Sequence, residues 1–277
     1  MEVIKTIAAM RAVRTNLSEP VGFVPTMGYL HEGHLSLIRR AQAENASVVA
    51  SIFVNPTQFG PSEDLEHYPR DLNRDLAMLA KEGVDAVFTP DASEMYPSGF
   101  AAWVTVGKIA ERLEGAARPG HFRGVATVCV KLFNIVRPTY AYFGQKDAQQ
   151  VLVIRRVVAN LNMSLNIVSL PIVRAPDGLA LSSRNAYLNT KERLAATVLN
   201  HALHLAKAKW QGGERRASVL RHAMSDLIRT EPLARIDYIS VADNETLVEL
   251  DQIDTPALIS LAVYIGKTRL IDNLVLT

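Results

Sequence analysis

Only one cysteine, Cys129, occurs in 277 residues, which excludes an internal disulfide framework. Its setting in the apolar run VATVCVKLF marks a buried core thiol, not a nucleophile. Charge of one sign is equally scarce: 30 Lys and Arg against 28 Asp and Glu leave a net +2. Binding a phosphate backbone needs a clustered basic face, so no nucleic-acid partner is expected. No stretch is apolar and long enough to span a bilayer. The opening MEVIKTIAAMRAVR also lacks the uninterrupted apolar segment and cleavage site of a secretory leader, so a cytoplasmic protein without a membrane partner is expected. Internal repeats and low-complexity tracts are absent too, leaving ordinary globular domains.

What is present is a core-forming composition, 48% apolar and 21% charged. The length exceeds the usual size of one core, so one large and one smaller domain are expected. The stretch VGFVPTMGYLHEGHLSLIRR, residues 21–40, reads as strand, tight turn and helix. Val21, Phe23 and Val24 form the strand, which Pro25 is expected to end for want of an N–H. Gly28 lets the backbone turn closely, and Leu35, Leu37, Ile38 and Ala41 give a buried helical face. A helix that starts at the carboxyl end of a parallel strand aims unpaired N–H groups into the crevice where α/β sheets bind ligands, and anions are favoured there. If the helix begins at Leu30, His31 and His34 share one face, with Gly33 leaving room between them for a flat ring or a phosphate. Two neutral imidazoles donate to phosphoryl oxygens best as negative charge builds during attack at phosphorus. A histidine alone on a first helical turn is an ordinary surface residue; the His-x-Gly-His spacing straight after a strand and a Pro-Thr-Met-Gly turn favours a site, and it resembles the nucleotidylyltransferase superfamily.

The apolar run 47–54 predicts a second strand buried on both faces, and Pro56 then turns Asn55, Thr57 and Gln58 out at the same sheet edge as the histidines, where Gln58 is either a site residue or a solvated loop glutamine. Residues 71–83 predict a helix with Leu72, Leu76 and Leu79 inward, before a strand at 85–89. Asp75 on that helix is either near a nucleotide-bound Mg²⁺ or a solvated helix acid. Such alternation favours a parallel sheet with right-handed crossovers. GAARPGHFRG, residues 115–124, has the composition of a mobile loop whose Arg118, His121 and Arg123 close over a polyphosphate. A helix at 125–136 and a strand at 139–143 follow, and the strand ends in Gly144, Gln145, Lys146 and Asp147. There Gly144 permits close approach, Lys146 supplies a point charge and Asp147 caps a helix or touches a ribose hydroxyl. Gln149 and Gln150 begin the next helix, and a strand at 165–173 ends the first domain near Pro176. After the Asp177-Gly178 turn, Ser182, Ser183 and Arg184 offer two hydroxyls and a guanidinium, suited to phosphates or to an ordinary serine-rich loop. Asn189 and Glu192 have capping-box spacing, and two helices followed by three clustered strands indicate a small α+β domain. The fold class is therefore α/β, a Rossmann-like parallel sheet over residues 1–175 with a smaller C-terminal α+β domain over 176–277.

PTMGYLHEGHLSL, FVNPTQF, RPGHFRGVATV, YFGQKDAQQ and DGLALSSRN occur in that order. Together they resemble the pantothenate synthetase family over nearly the whole chain. The resemblance implies ATP-dependent condensation of pantoate with β-alanine through a pantoyl adenylate, releasing pyrophosphate and then AMP, with Mg²⁺ accompanying ATP. It also implies a homodimer whose second domain closes over the site. Carried over by motif, Met27, Gly28, Tyr29, Leu30, His31, Glu32, Gly33 and His34 would line the nucleotide, with His34 donating to the reacting phosphate. Gly144, Gln145, Lys146, Asp147, Val173, Leu181, Ser182, Ser183 and Arg184 would complete that pocket, Lys146 and Arg184 neutralising pyrophosphate. Gln58 and Gln150 would hold pantoate through neutral amides, and Gln58 would also meet β-alanine. The residues themselves support a site built for an anionic transition state without a protein nucleophile. Rival readings are another adenylyl or cytidylyl transferase, which would release no AMP, and a nucleotide sensor that gives no pyrophosphate. A tRNA-linked role is weaker for want of a basic patch.

Overall fold

The computed structural model describes residues 1–61 and 63–277. They divide into two units, one of residues 1–145 and 149–171, the other of 146–148 and 172–277. Residues 172–175 belong to the second unit, where Leu181 N–H donates to the Val173 carbonyl at 3.0 Å.

The first unit is built on β1 (Glu2–Ile4), α1 (Ile7–Arg14), β2 (Val21–Thr26), α2 (Glu32–Glu44), β3 (Ser47–Ile52), α3 (Leu72–Lys81) and β4 (Ala86–Phe88). It continues through α4 (Ala92–Met95), α5 (Glu114–Ala117), α6 (His121–Val136), β5 (Tyr140–Gly144), α7 (Ala148–Asn160) and β6 (Asn166–Leu170). Six parallel strands lie in the order β1-β4-β3-β2-β5-β6. The chain winds one way from β2 through β3 to β4 and the other way from β5 to β6, so the direction reverses between β2 and β5. Ligand crevices of open α/β sheets form at such a reversal, outside the carboxyl ends of the strands. Val24, Val48, Ala50 and Val87 pack one sheet face against Leu37, Ile38 and Ala41 of α2 and Leu79 of α3. Phe133 of α6 meets Phe23 and Phe143 edge-on, at 6.4 and 6.5 Å.

Two local expectations change, and one strand is added. Pro25 lies inside β2, because pairing to β5 is confined to Gly22 and Phe23 while pairing to β3 runs on to Thr26. Leu72 is 42% exposed, since the inward face of α3 is set by Asp75 and Leu79. Glu2–Ile4 forms an edge strand against β4, a pairing between distant segments that local periodicity does not announce.

The second unit carries α8 (Thr190–Ala195), α9 (Val198–Gln211), α10 (Ala217–Arg229), β7 (Ala234–Asp243), β8 (Ala257–Ile265) and β9 (Thr268–Leu276). Both halves of the Asn189–Glu192 capping box form at the start of α8. The strands make an antiparallel sheet in the order β7-β8-β9. Leu199, Leu203, Leu220, Met224 and Ile228 of α9 and α10 pack with Ile259, Leu261 and Val263 of β8. The architecture is thus the expected α/β sheet with a smaller α+β unit.

Candidate active site

The turn from β2 into α2 is over-determined. Gly28 has φ +85° and Tyr29 +50°, a left-handed pair that Tyr29 adopts only with help from its surroundings. Asp75 of α3 supplies it: one carboxylate oxygen accepts from Tyr29 N–H at 2.7 Å, the other from Leu30 N–H at 2.8 Å. Neighbouring Arg74 donates to the Leu30 carbonyl at 2.9 Å and lies over the Tyr29 ring. Asp75 is not a solvated helix acid; it is 1% exposed and both oxygens accept from backbone N–H groups. Burial pushes its carboxyl above the usual range, and the two N–H bonds pull it back. The same carboxylate, with Met27, Gly28, Phe53 and Pro90, walls a cavity of about 400 Å³ at the carboxyl ends of β2, β3 and β4.

His31 is not the second residue of a helix but its cap. Its backbone is extended and its Nδ1 accepts from Gly33 N–H at 3.2 Å, while His34 Nδ1 accepts from His31 N–H at 3.3 Å. This is a capping box made of two imidazoles, and it brings the rings to 4.1 Å between centroids. Because each Nδ1 is an acceptor, each neutral ring carries its proton on Nε2. A side chain at Gly33 would sit 2.9 Å from the His31 ring, so only glycine lets the ring fold back. Glu32 opens α2 and pairs with Arg39.

Gln58 is not a solvated loop residue. It ends a 3₁₀ turn, Pro56–Gln58, is buried, and is held from two sides. Asn55 is the hub: its Oδ1 accepts from Thr57 N–H and from the hydroxyls of Thr57 and Tyr96, at 3.3, 2.9 and 2.8 Å. Its Nδ2 therefore faces the other way and donates to Gln58 Oε1 at 3.1 Å and to the Gly124 carbonyl at 3.2 Å. The Gln58 amide is oriented in turn, with Nε2 toward Met27 Sδ at 3.0 Å. A thioether is a weak acceptor, so this N–H face remains suited to a substrate oxygen.

The RPGHFRG segment ends α5 and begins α6, contrary to its loop-like composition. His121 starts α6, Nδ1 donating to the Gln58 carbonyl at 2.8 Å and Nε2 accepting from Arg118 at 3.2 Å. Those partners require the neutral ring, and burial with the adjacent guanidinium pushes its pKa down to about 4. Arg118 forms a two-bond pair with Glu63, and Arg123 lies 4.8 Å from the Trp103 ring. Arg118 also donates to the Gln58 carbonyl at 3.3 Å and so supports that residue, whereas Arg123 is exposed beside Trp103. Gly144 ends β5 beside β2, and among the described residues, its chain neighbours aside, nothing would touch a Cβ there. Gln145 follows it, near Ser169. Gln149 is buried and fixes residues 109–114 through Ile109, Arg112 and Glu114, whereas Gln150 on the same helix stays half-buried.

In the second unit, Lys146 and Asp147 lie in a short 3₁₀ turn, 3.7 Å apart. Leu181 pairs with Val173 by backbone, and Ser182 caps the following 3₁₀ turn by accepting from Arg184 N–H at 3.3 Å. Ser183 is buried and Arg184 half-buried. Sequence reasoning did not single out Asn55 as the residue that orients Gln58, although an asparagine ahead of Pro-Thr is a recognisable turn former. It had no signal for the grip of Asp75 on a turn far away in the chain. Cys129 is buried as expected, and burial pushes its thiol up to about 12.

The chain matches the family of pantoate-beta-alanine ligases over residues 2–275. A pantothenate synthetase from Roseiflexus castenholzii is 63% identical over 276 residues, covering 100% of this chain and 99% of that protein. One from Pelotomaculum thermopropionicum is 56% identical over 279 residues, with 100% and 99% covered. The crystal structure of pantothenate synthetase from Thermus thermophilus superposes with TM-score 0.94 at 49% identity, covering 99% of each chain. The pantoate-beta-alanine ligase of Francisella tularensis, solved complexed with Beta-gamma ATP and Beta-alanine, superposes with TM-score 0.83 at 36% identity, with 99% and 97% covered. With full-length identity of this order and the paired imidazoles at the sheet's reversal point, the chain belongs to the pantoate-beta-alanine ligase family.

Proposed function

We propose that this ligase joins pantoate to β-alanine in two steps at the carboxyl edge of β2 and β5. A pantoate carboxylate oxygen attacks the α-phosphorus of ATP, the bond to the β-phosphate oxygen breaks, and pyrophosphate leaves. The β-alanine amine then attacks the acyl carbon, the carbon–oxygen bond to AMP breaks, and the amine's proton is lost as the amide forms. The observation that carries this is the imidazole capping box, which fixes both Nε2–H groups as donors. Donors already in place stabilise the charge that gathers on the α-phosphoryl oxygens without reorganising during reaction. His34 is assigned that contact and His31 supports it. Met27 through Gly33, with Gly144 and Gln145, line the nucleotide. Lys146 and Arg184 neutralise pyrophosphate, and Asp147, Val173 and Leu181 through Ser183 are assigned to nucleotide binding. Gln58 and Gln150 bind pantoate by neutral amides, which hold a carboxylate without quenching it as a tight cation pair would.

Mg²⁺ is taken to arrive as part of the nucleotide substrate, MgATP. Among the described residues no three His, Cys, Asp or Glu side chains converge as a metal site. A homodimer in the cytoplasm follows from the family resemblance, and light scattering on the purified protein should give twice the chain mass.

The decisive experiment supplies MgATP and pantoate alone. Pyrophosphate should appear without AMP release, and AMP should follow only when β-alanine is added. Pyrophosphate with no AMP after the amine would indicate a nucleotidyl transferase, and no pyrophosphate at all would indicate a nucleotide sensor.

A further inference from the structure

From residue 270 to its end β9 is apolar except for two buried polar residues, Asp272 and Asn273, 2% and 4% exposed. Burying such groups is unfavourable unless they are fully bonded, and an apolar pair of like volume would serve stability at least as well. Successive strand residues point to opposite faces, so the pair reaches two different segments. Asp272 takes two bonds from Arg174, at 2.6 and 2.9 Å, and the N–H of Asn273 at 2.8 Å. Arg174 in turn donates to the Gly178 carbonyl at 3.1 Å and bridges to Ala180, closing the small hairpin that leads directly into Leu181–Arg184. The Asn273 amide donates to the Lys146 carbonyl at 2.9 Å, across 127 residues of sequence. That bond fixes the backbone from which the lysine side chain projects.

We propose that Asp272 and Asn273 are positioning residues for the phosphate-binding cations: Asn273 sets Lys146, and Asp272, through Arg174, sets the 181–184 segment. The inference rests on the phosphate role proposed above for Lys146 and Arg184. Nothing in the motifs around the imidazoles points to this dipeptide, which lies near the far end of the chain.

The test measures pyrophosphate release from MgATP and pantoate by the full-length protein. Asn273→Ala should raise KM for MgATP roughly fivefold to tenfold, the equivalent of one lost hydrogen bond, while KM for pantoate holds. Asp272→Asn should show the same selectivity. In a Lys146→Ala background, Asn273→Ala should add no further loss, because a residue acting through another has nothing left to position. Equal shifts in both KM values, tracking a fall in melting temperature, would overturn the inference and leave the dipeptide a purely structural feature. So would full additivity with Lys146→Ala. If Lys146→Ala alone leaves KM for MgATP intact, the role of Lys146 fails first and this inference with it. Should Asn273→Ala not fold, Asn273→Asp keeps the shape while removing the donor and is judged by the same selectivity.

Discussion

At the residue scale the chemistry depends on which nitrogen of an imidazole holds the proton. His34 Nδ1 accepts a backbone N–H, so Nε2 is its donor, and the tautomer is decided by a cap that any helix start requires. His34→Ala should reduce turnover by about 10²–10³-fold, the usual cost of one transition-state donor, while lowering stability only by the roughly 1 kcal/mol of one lost cap bond. Steady-state kinetics at saturating MgATP check this. Asp75→Asn keeps size and shape but turns an amide hydrogen toward a backbone N–H. One donor of the Tyr29-Leu30 pair then loses its acceptor inside the protein, at a cost of about 1–3 kcal/mol. Denaturant unfolding should show that loss, and turnover should fall with it because the left-handed Tyr29 leads straight into His31. Unchanged turnover would mean the imidazoles hold their place without the carboxylate.

At the element scale the close approach of α6 to the Pro56–Gln58 turn matters most. A Cβ at Gly124 would overlap the Thr57 carbonyl oxygen and lie 2.7 Å from Gln58 N, both backbone atoms that cannot swing aside. Gly124→Ala should therefore destabilise the protein by about 1–3 kcal/mol and displace Gln58. Thermal unfolding and KM for pantoate measure the two effects, and a rise in KM for MgATP alone would contradict the expectation. The same contact explains why the composition of GAARPGHFRG misleads. Its glycines and arginines look like a mobile cover when read in line, yet Gly124 is there for packing and Arg118 for a half-buried pair with Glu63. Helices and strands with strong periodicity, such as α2 with Leu35, Leu37, Ile38 and Ala41 buried, are legible because one face alone decides them.

At the scale of the whole molecule, stability should depend on pH through His121. Its folded pKa, about 4, lies below the ordinary 6.5, so the unfolded chain binds the proton more readily. The contribution is fully present above about 6.5 and is lost as pH falls toward about 4, by ~3 kcal/mol in all. Urea unfolding between pH 7 and 4 should show this loss, and His121→Asn, which keeps an N–H for the Gln58 carbonyl, should flatten it. A slope unaltered in His121→Asn would assign the acid sensitivity to other groups.

The sequence by itself determined the class of the fold, the paired histidines after a strand, and the family, since these rest on periodicity, turn chemistry and ordered motifs that are local in the chain. Only the tertiary structure decided that His31 caps and His34 answers it, that Asp75 holds a backbone turn, that Asn55 orients Gln58, and that Asn273 reaches Lys146. Each of these is a hydrogen bond whose direction depends on the third dimension: a donor is defined by what its other atom already accepts, and that partner is often far away in sequence.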